Sequence, residues 1–319
     1  MSSCLRRLCV SPLICAFLLC AAANGQNAAP GAAGSRPPIT GVSHIAVYAS
    51  DPAASERFYV HDLGATRGAD PENSVGTRYY FSNTQFVEVL PLPKGPPSIN
   101  RLDHVAFATP DAEGLRHYLD AAGIKVPPAI TTTPKDSWFE VQDPEGNRVQ
   151  FVQARSAPAI ALSNRRLADH IIHFGFIVHD RDLEDGFYRK VLGLRPYWFG
   201  GNEHARPTWI SQQVPDGRDW LEYMLVDPPR GRGIPAGMSQ TLLGIFNHFS
   251  LGVTNMEMVY TRLWNEDRLS GQNEVPKIGR DAKWQLNLHD PDETRAEIME
   301  LHAIGKPCCS PFTAPDPLH

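Results

Sequence analysis

Four short runs of the sequence place a histidine ahead of a bulky, a small and a second bulky residue: His44-Ile45-Ala46-Val47, His104-Val105-Ala106-Phe107, His173-Phe174-Gly175-Phe176 and His248-Phe249-Ser250-Leu251. Downstream of each, at intervals of 44, 46, 49 and 49 residues, a polar side chain interrupts an apolar run: Glu88, Gln150, Glu222 and Glu297. A carboxylate held mid-strand between apolar neighbours is costly to bury alone, and a metal ion is one candidate partner. Imidazoles and carboxylates together suit a borderline divalent ion with one or two open positions, and a carboxylate beside it can move a proton. One strand histidine by itself is more often a hydrogen-bonded structural residue; four in one register are a repeat.

Strands must carry these residues. Successive side chains of a strand face opposite ways, so in each run the bulky residues form a core face while His and the small residue share the other. The stretch Lys283–Leu301 alternates up to His289, turns at Asp290-Pro291-Asp292 and alternates again through Glu297, which predicts a hairpin. Ser137–Gln153 is a weaker copy, turning at Asp143-Pro144-Glu145-Gly146-Asn147, with Gln150 where the later copy has Glu297. Each histidine strand runs into a helix start, with caps expected at Ser50-Asp51-Pro52, Thr109-Pro110-Asp111, Asp180 and Thr254-Asn255, two of them with Pro early in the helix. The first and third helices should stop at Gly64 and Gly193.

The flanks carry other signals. Arg6 and Arg7, the mostly apolar run Val10–Ala23 and the small residues before Gln26 predict a signal peptide over 1–25 and export to a periplasmic or extracellular space. Residues 26–39 read as a flexible leader and 154–167 as a linker between a domain at 40–153 and another at 168–303, with a C-terminal tail at 304–319. Of the 6 cysteines only Cys308 and Cys309 lie beyond the leader, so no disulfide framework is expected. The formal net charge of −5 becomes more negative once Arg6 and Arg7 leave, and no basic block occurs. Nucleic acid and anionic membrane are poor partners for such a chain; a small-molecule substrate fits it.

The four repeats resemble the βαβββ modules of the vicinal oxygen chelate superfamily, which includes glyoxalase I, extradiol dioxygenases, an epimerase and the bleomycin and fosfomycin resistance proteins. The resemblance covers nearly all of 40–303. It implies an α+β fold in which modules pair into two cup-shaped domains, each cup able to hold one divalent ion on its first and last strands. Residue by residue, the C-terminal cup would offer His173, Glu222, His248 and Glu297, and a possible second site would use His44, Glu88, His104 and Gln150. Gln150 is a neutral and weaker donor, so the C-terminal cup is expected to be the active one.

That resemblance implies a metal-dependent lyase or isomerase of glyoxalase or epimerase type. Its substrate would chelate through adjacent oxygens, and Glu222 and Glu297 are the candidate catalytic residues. The ion would be one of Fe, Mn, Zn, Ni or Co, stabilising charge that develops as in an enediolate. Trp209, Trp220, Tyr223 and Trp284 are candidates to line the mouth. Four modules in one chain also match ring-cleaving extradiol dioxygenases, whose triad would be His173, His248 and Glu297. Yet Ile278-Gly279-Arg280, Asn287 and Glu293 stand where that family's signature carries His, Tyr and Gly. A non-catalytic binding protein of the resistance type is the third reading; it needs the cups but no metal.

Overall fold

The computed structural model of the chain describes residues 35–94, 100–155, 159–203, 206–226, 246–269 and 274–318. The segment 1–25 read as a signal peptide, and residues 26–34 of the leader, lie outside the described residues.

Two eight-stranded sheets make up the architecture, with helices packed against their apolar faces. The first has β1 (Gly41–Ala49), β2 (Thr66–Ala69), β3 (Thr77–Tyr80), β4 (Phe86–Pro91), β5 (Leu102–Ala108), β6 (Thr131–Thr132), β7 (Asp136–Gln142) and β8 (Arg148–Ala154), ordered β2-β3-β4-β1-β5-β8-β7-β6. The second repeats it with β9 (Ile171–Val178), β10 (Arg195–Gly200), β11 (Trp209–Gln213), β12 (Trp220–Leu225), β13 (His248–Val253), β14 (Lys277–Ile278), β15 (Trp284–His289) and β16 (Arg295–Glu300), ordered β10-β11-β12-β9-β13-β16-β15-β14. This is the α+β, paired-module fold expected from the repeat, and both hairpins fall where the turns placed them: β7 pairs antiparallel with β8, and β15 with β16.

Register explains the motif. The first strands of paired modules lie antiparallel at the sheet centre, so His44 stands opposite Ala106 and His104 opposite Ala46, while His248 stands opposite Gly175 and His173 opposite Ser250. Each small residue therefore makes room for the imidazole of the partner module. The same residues face the polar position of their own last strand: Ala46 pairs with Glu88, Ala106 with Gln150, Gly175 with Glu222 and Ser250 with Glu297.

The helices begin as read. Asp51, Asp111, Asp180 and Asn255 accept first-turn amides through their side chains, although Pro110 lies ahead of its cap rather than inside the helix. In the first and third modules the helix widens into a π-type turn, closed by Leu63 N donating to Phe58 O at 3.0 Å and Leu192 N to Phe187 O at 2.9 Å. Gly64 (φ 75°) and Gly193 (φ 83°) then take the left-handed step that ends each helix. Glu293 adopts the same left-handed φ, 68°, in the β15–β16 turn, where the β7–β8 turn has Gly146.

Those wide turns reach the opposite half of the molecule. Tyr59 donates to Asp290 and Tyr188 donates to Asp143, each at 3.0 Å, so each helix grips the Asp-Pro turn of the other sheet. Gln85 ties the sheets further, donating to Val42 O and Ile171 O and accepting from Ile171 N. One apolar cluster runs through both halves, including Ile45, Phe107, Phe174, Phe176 and Phe249, with Phe107 and Phe174 ring centroids 5.1 Å apart.

Glu184 is fully buried at this junction, where it accepts from Glu145 N at 2.9 Å. Burial, then Asp143 and Glu145, push its carboxyl from its ordinary 4.5 up to about 9. A carboxyl raised by folding keeps its proton in the folded chain after the unfolded chain has lost it, so its effect is to lower stability as pH climbs from 4.5 toward 9. Urea midpoints of metal-free protein should therefore fall between pH 7 and 9, and Glu184→Gln should flatten that decline; an unchanged slope in the variant would contradict the assignment.

Candidate metal centre

In the C-terminal cup the four expected side chains converge. His173 Nε2 and His248 Nε2 lie 3.1 Å apart, His173 Nε2 is 3.2 Å from Glu297 Oε2, and His248 Nε2 is 3.3 Å from Glu222 Oε2. Metal–ligand bonds of about 2.0–2.1 Å imply ligand-to-ligand edges of about 3.0 Å in an octahedral shell and about 3.4 Å in a tetrahedral one, so this spacing suits a first-row divalent ion. Without a cation one of these imidazole nitrogens can donate to the other, and with one both lone pairs can point at it. His248 Nδ1 donates to Phe246 O at 3.0 Å, which leaves Nε2 as the free lone pair. The His173 ring is set by stacking on Trp220, with centroids 4.3 Å apart.

The electrostatics divide the two carboxylates. Burial pushes Glu297 up, yet His173, Arg295 and His248 outweigh it and hold the group at about 2, so Glu297 is a permanent anion. For Glu222 burial prevails, helped by Glu297 opposite, and its pKa rises despite His173. His248 is lowered well below its usual range by burial, then by Arg295 and His173, and stays neutral as a ligand must. Ser211 donates to Glu222 Oε1 at 3.2 Å.

Above the ligands lies a cavity of about 360 Å³. Of the four aromatics expected at the mouth, Trp209 and Trp220 line it, whereas Tyr223 is buried in the apolar cluster and Trp284 packs against that cluster. Other lining groups escaped the sequence reading. Arg295 is two residues before Glu297 on the same face, a placement that strand alternation alone could have revealed. Lys283 is buried and bonds Asp316 Oδ1 at 2.8 Å. The tail supplies Asp316 because Cys309 N bonds Phe199 O, Thr313 N bonds Tyr197 O, and Phe312 packs on Tyr197 within the cavity. Cys308 and Cys309 are joined to each other by a disulfide in this tail.

The N-terminal cup has the same plan and different chemistry. His44 Nε2 and His104 Nε2 approach to 2.9 Å, but Glu88 Oε2 stands off at 3.8 and 3.9 Å. Gln150 is turned away, its amide donating to Glu72 at 2.9 Å. Arg78 pairs in register with Glu88, where the other cup has Ser211 opposite Glu222. Buried Arg78 meets Asp70, Glu72 and Asp136, and its guanidinium covers Phe86, which stacks on His44. Burial, then Asp70 and Glu72, raise Glu88 to about 9 against the pull of Arg78, which keeps it protonated at neutral pH. Here the compensating cation belongs to the chain.

Comparison with known proteins agrees with this fold. The family model described as Glyoxalase/Bleomycin resistance protein/Dioxygenase superfamily matches residues 41–151. The N-terminal pair of modules is thus similar to that superfamily. The C-terminal pair repeats the same sheet order, and solved structures extend the fold over both halves. Catechol 2,3-dioxygenase aligns with TM-score 0.59 at 14% identity, covering 88% of this chain and 94% of that one. The Mn(II)-bound glyoxalase from Novosphingobium aromaticivorans aligns at 0.61 with 16% identity, covering 83% of each chain. A variant of homoprotocatechuate 2,3-dioxygenase from Brevibacterium fuscum aligns at 0.61 with 17% identity, covering 88% and 74%. Comparison with curated protein sequences found no match.

A Cβ added to Gly175 would sit 2.1 Å from His248 Cε1. Gly175→Ala should therefore displace the His248 ring and weaken metal binding about ten- to hundredfold, the range typical of disturbed ligand support. Metal titration with a parallel circular-dichroism melt checks it: wild-type metal affinity in the folded variant would refute the packing argument.

Proposed function

We propose that the chain is a divalent-metal-dependent enzyme of lyase or isomerase type, glyoxalase- or epimerase-like. Its working site is the C-terminal cup, holding one ion of Fe, Mn, Zn, Ni or Co through His173, Glu222, His248 and Glu297. The observation that carries this reading is the approach of Glu222 to His248 at 3.3 Å, which adds a fourth donor to the triad of His173, His248 and Glu297. When bound, the ion would supply Lewis-acid stabilisation of negative charge on two adjacent substrate oxygens. Glu297, held ionised, serves as a fixed ligand. Glu222, which lines the cavity and accepts from Ser211, is the group placed to take a proton from substrate carbon and return it. The N-terminal cup, with Arg78 as its own cation, should hold metal less tightly.

A ring-cleaving dioxygenase is the second reading. Its support is that His173, His248 and Glu297 offer ligand atoms within 4.8 Å of one another, a set of two histidines and one carboxylate, as His44, Glu88 and His104 also do in the N-terminal cup. Against it stands Asn287, paired in register with Glu297, where a ring-cleaving site would have tyrosine.

Metal analysis and two assays separate the readings. Purified protein should carry one ion per chain; His248→Ala or Glu297→Ala should remove most of it, and Gln150→Ala should matter little. Glu222→Gln should slow anaerobic proton exchange on a chelating substrate about 10²–10⁴-fold, the usual contribution of a positioned acid–base. Oxygen uptake that survives Glu222→Gln would favour the dioxygenase, and one ion per chain after loss of both His173 and His248 would place the site elsewhere.

We also propose that the enzyme is exported. Support comes from the basic start, short apolar run and small residues ahead of Gln26. N-terminal sequencing of the exported protein should begin near Gln26; intact Met1 in a cytoplasmic fraction would overturn this.

A further inference from the structure

The two cups differ in one arginine's partners. Arg148 pairs in register with His104, and Arg295 with His248, so they are equivalent residues. Arg148 is clamped: Nη1 donates to both oxygens of Asp103 at 2.8 Å, and Nε and Nη2 donate to Glu140 at 2.9 and 2.7 Å. In the C-terminal cup both clamping acids are amides. Asn247 precedes His248 as Asp103 precedes His104, and Asn287 pairs with Glu297 as Glu140 pairs with Gln150. Arg295 makes no hydrogen bond or ion pair among the described residues, its Nε is buried without a partner, and it lines the cavity beside Glu222 and Glu297. Asn247 Oδ1 and Asn287 Oδ1 are likewise buried without partners.

We infer that the substrate of the C-terminal cup is a small carboxylate and that Arg295 is the specificity-determining residue that receives its carboxylate group. The inference rests on the reading of this cup as a metal centre. With a divalent ion in place the charges of Glu222 and Glu297 are cancelled and Lys283 is neutralised by Asp316. Arg280 reaches only the carbonyls of Gly201 and Asn202. Asp281 can offset one of the remaining lining cations Lys277, Arg280 and Arg295, so the cup is left with excess positive charge, and Arg295 is the cation nearest the ligands in sequence and register. A guanidinium offers two parallel donors that match a planar carboxylate, and the buried Nε of half-buried Arg295 lacks an acceptor. Arg295 and Glu297 are two residues apart on one strand, about 7 Å. One small molecule can therefore present adjacent oxygens to the metal site and a carboxylate to Arg295.

The test is calorimetric titration of the zinc-loaded protein with two chelators, succinate monohydroxamate and its neutral counterpart butyrohydroxamate. Wild type should prefer the carboxylated chelator about ten- to hundredfold, as expected for a charge-assisted pair out of water. Arg295→Met should bring that ratio close to one while zinc content and butyrohydroxamate affinity hold. Asn247→Asp, which restores part of the clamp and keeps the arginine, should reduce the ratio in the same way. A wild-type ratio near one, or a preference that survives Arg295→Met, overturns the inference and leaves the metal reading intact. Failure to load one zinc per chain overturns the metal reading and this inference with it.

Discussion

The structure depends on the antiparallel register of the two central strands in each sheet. Setting His248 against Gly175 and His173 against Ser250 brings two imidazoles from distant parts of the chain within 3.1 Å, on a face from which water is largely excluded. A slip of one residue would turn both histidines into the apolar core and the core residues into the cup. The alternation that buries Phe174, Phe176, Phe249 and Leu251 therefore also aims the ligands. Packing energy in the core and ligand placement in the cup are two faces of one constraint.

Both sheets meet that constraint, yet they solve the resulting electrostatic problem differently. Carboxylates facing each other in a buried cup repel, and the repulsion must be relieved by protonation or by a cation. In the N-terminal cup Arg78 enters from β3 and Glu88 keeps its proton. Ser211 occupies the matching place in the C-terminal cup and brings only a hydroxyl, while Glu297 stays ionised. An external ion is the simplest compensation there. The same pair of modules thus yields one cup with a buried arginine opposite its last-strand glutamate and one cup with a serine hydroxyl there.

Much of this was legible in the sequence, because the signals were short-range and repeated. The four histidine runs, the Asp-Pro turns and the helix caps each follow from a local rule, and their recurrence pointed to the fold and to the four candidate ligands of the C-terminal cup. What escaped the reading was long-range. Arg78 lies in a short strand with no distinguishing pattern, and its meaning comes only from pairing with Glu88. The π-type turns carry no sequence mark, yet they aim Tyr59 and Tyr188 at turns 231 and 45 residues away. The tail read as an appendage, whereas Phe312 lines the C-terminal cavity and Asp316 pairs with the buried Lys283 of its wall.

The buried Lys283 makes the tail's role intelligible. An ammonium with 1% side-chain exposure is costly, and burial lowers its pKa; Asp316 opposes that shift, the Leu301 carbonyl accepts at 2.7 Å, and the faces of Phe312, Tyr197 and Trp220 surround it. Without Asp316 the charge would lie unpaired about one side chain from the metal ligands and compete for any anion entering the cup. With Asp316 it becomes a fixed post that holds the tail across the edge of β10. Neutralising Lys283 internally is what leaves Arg295 as the unengaged cation beside the ligands, so the tail shapes the charge of the cup as well as its wall.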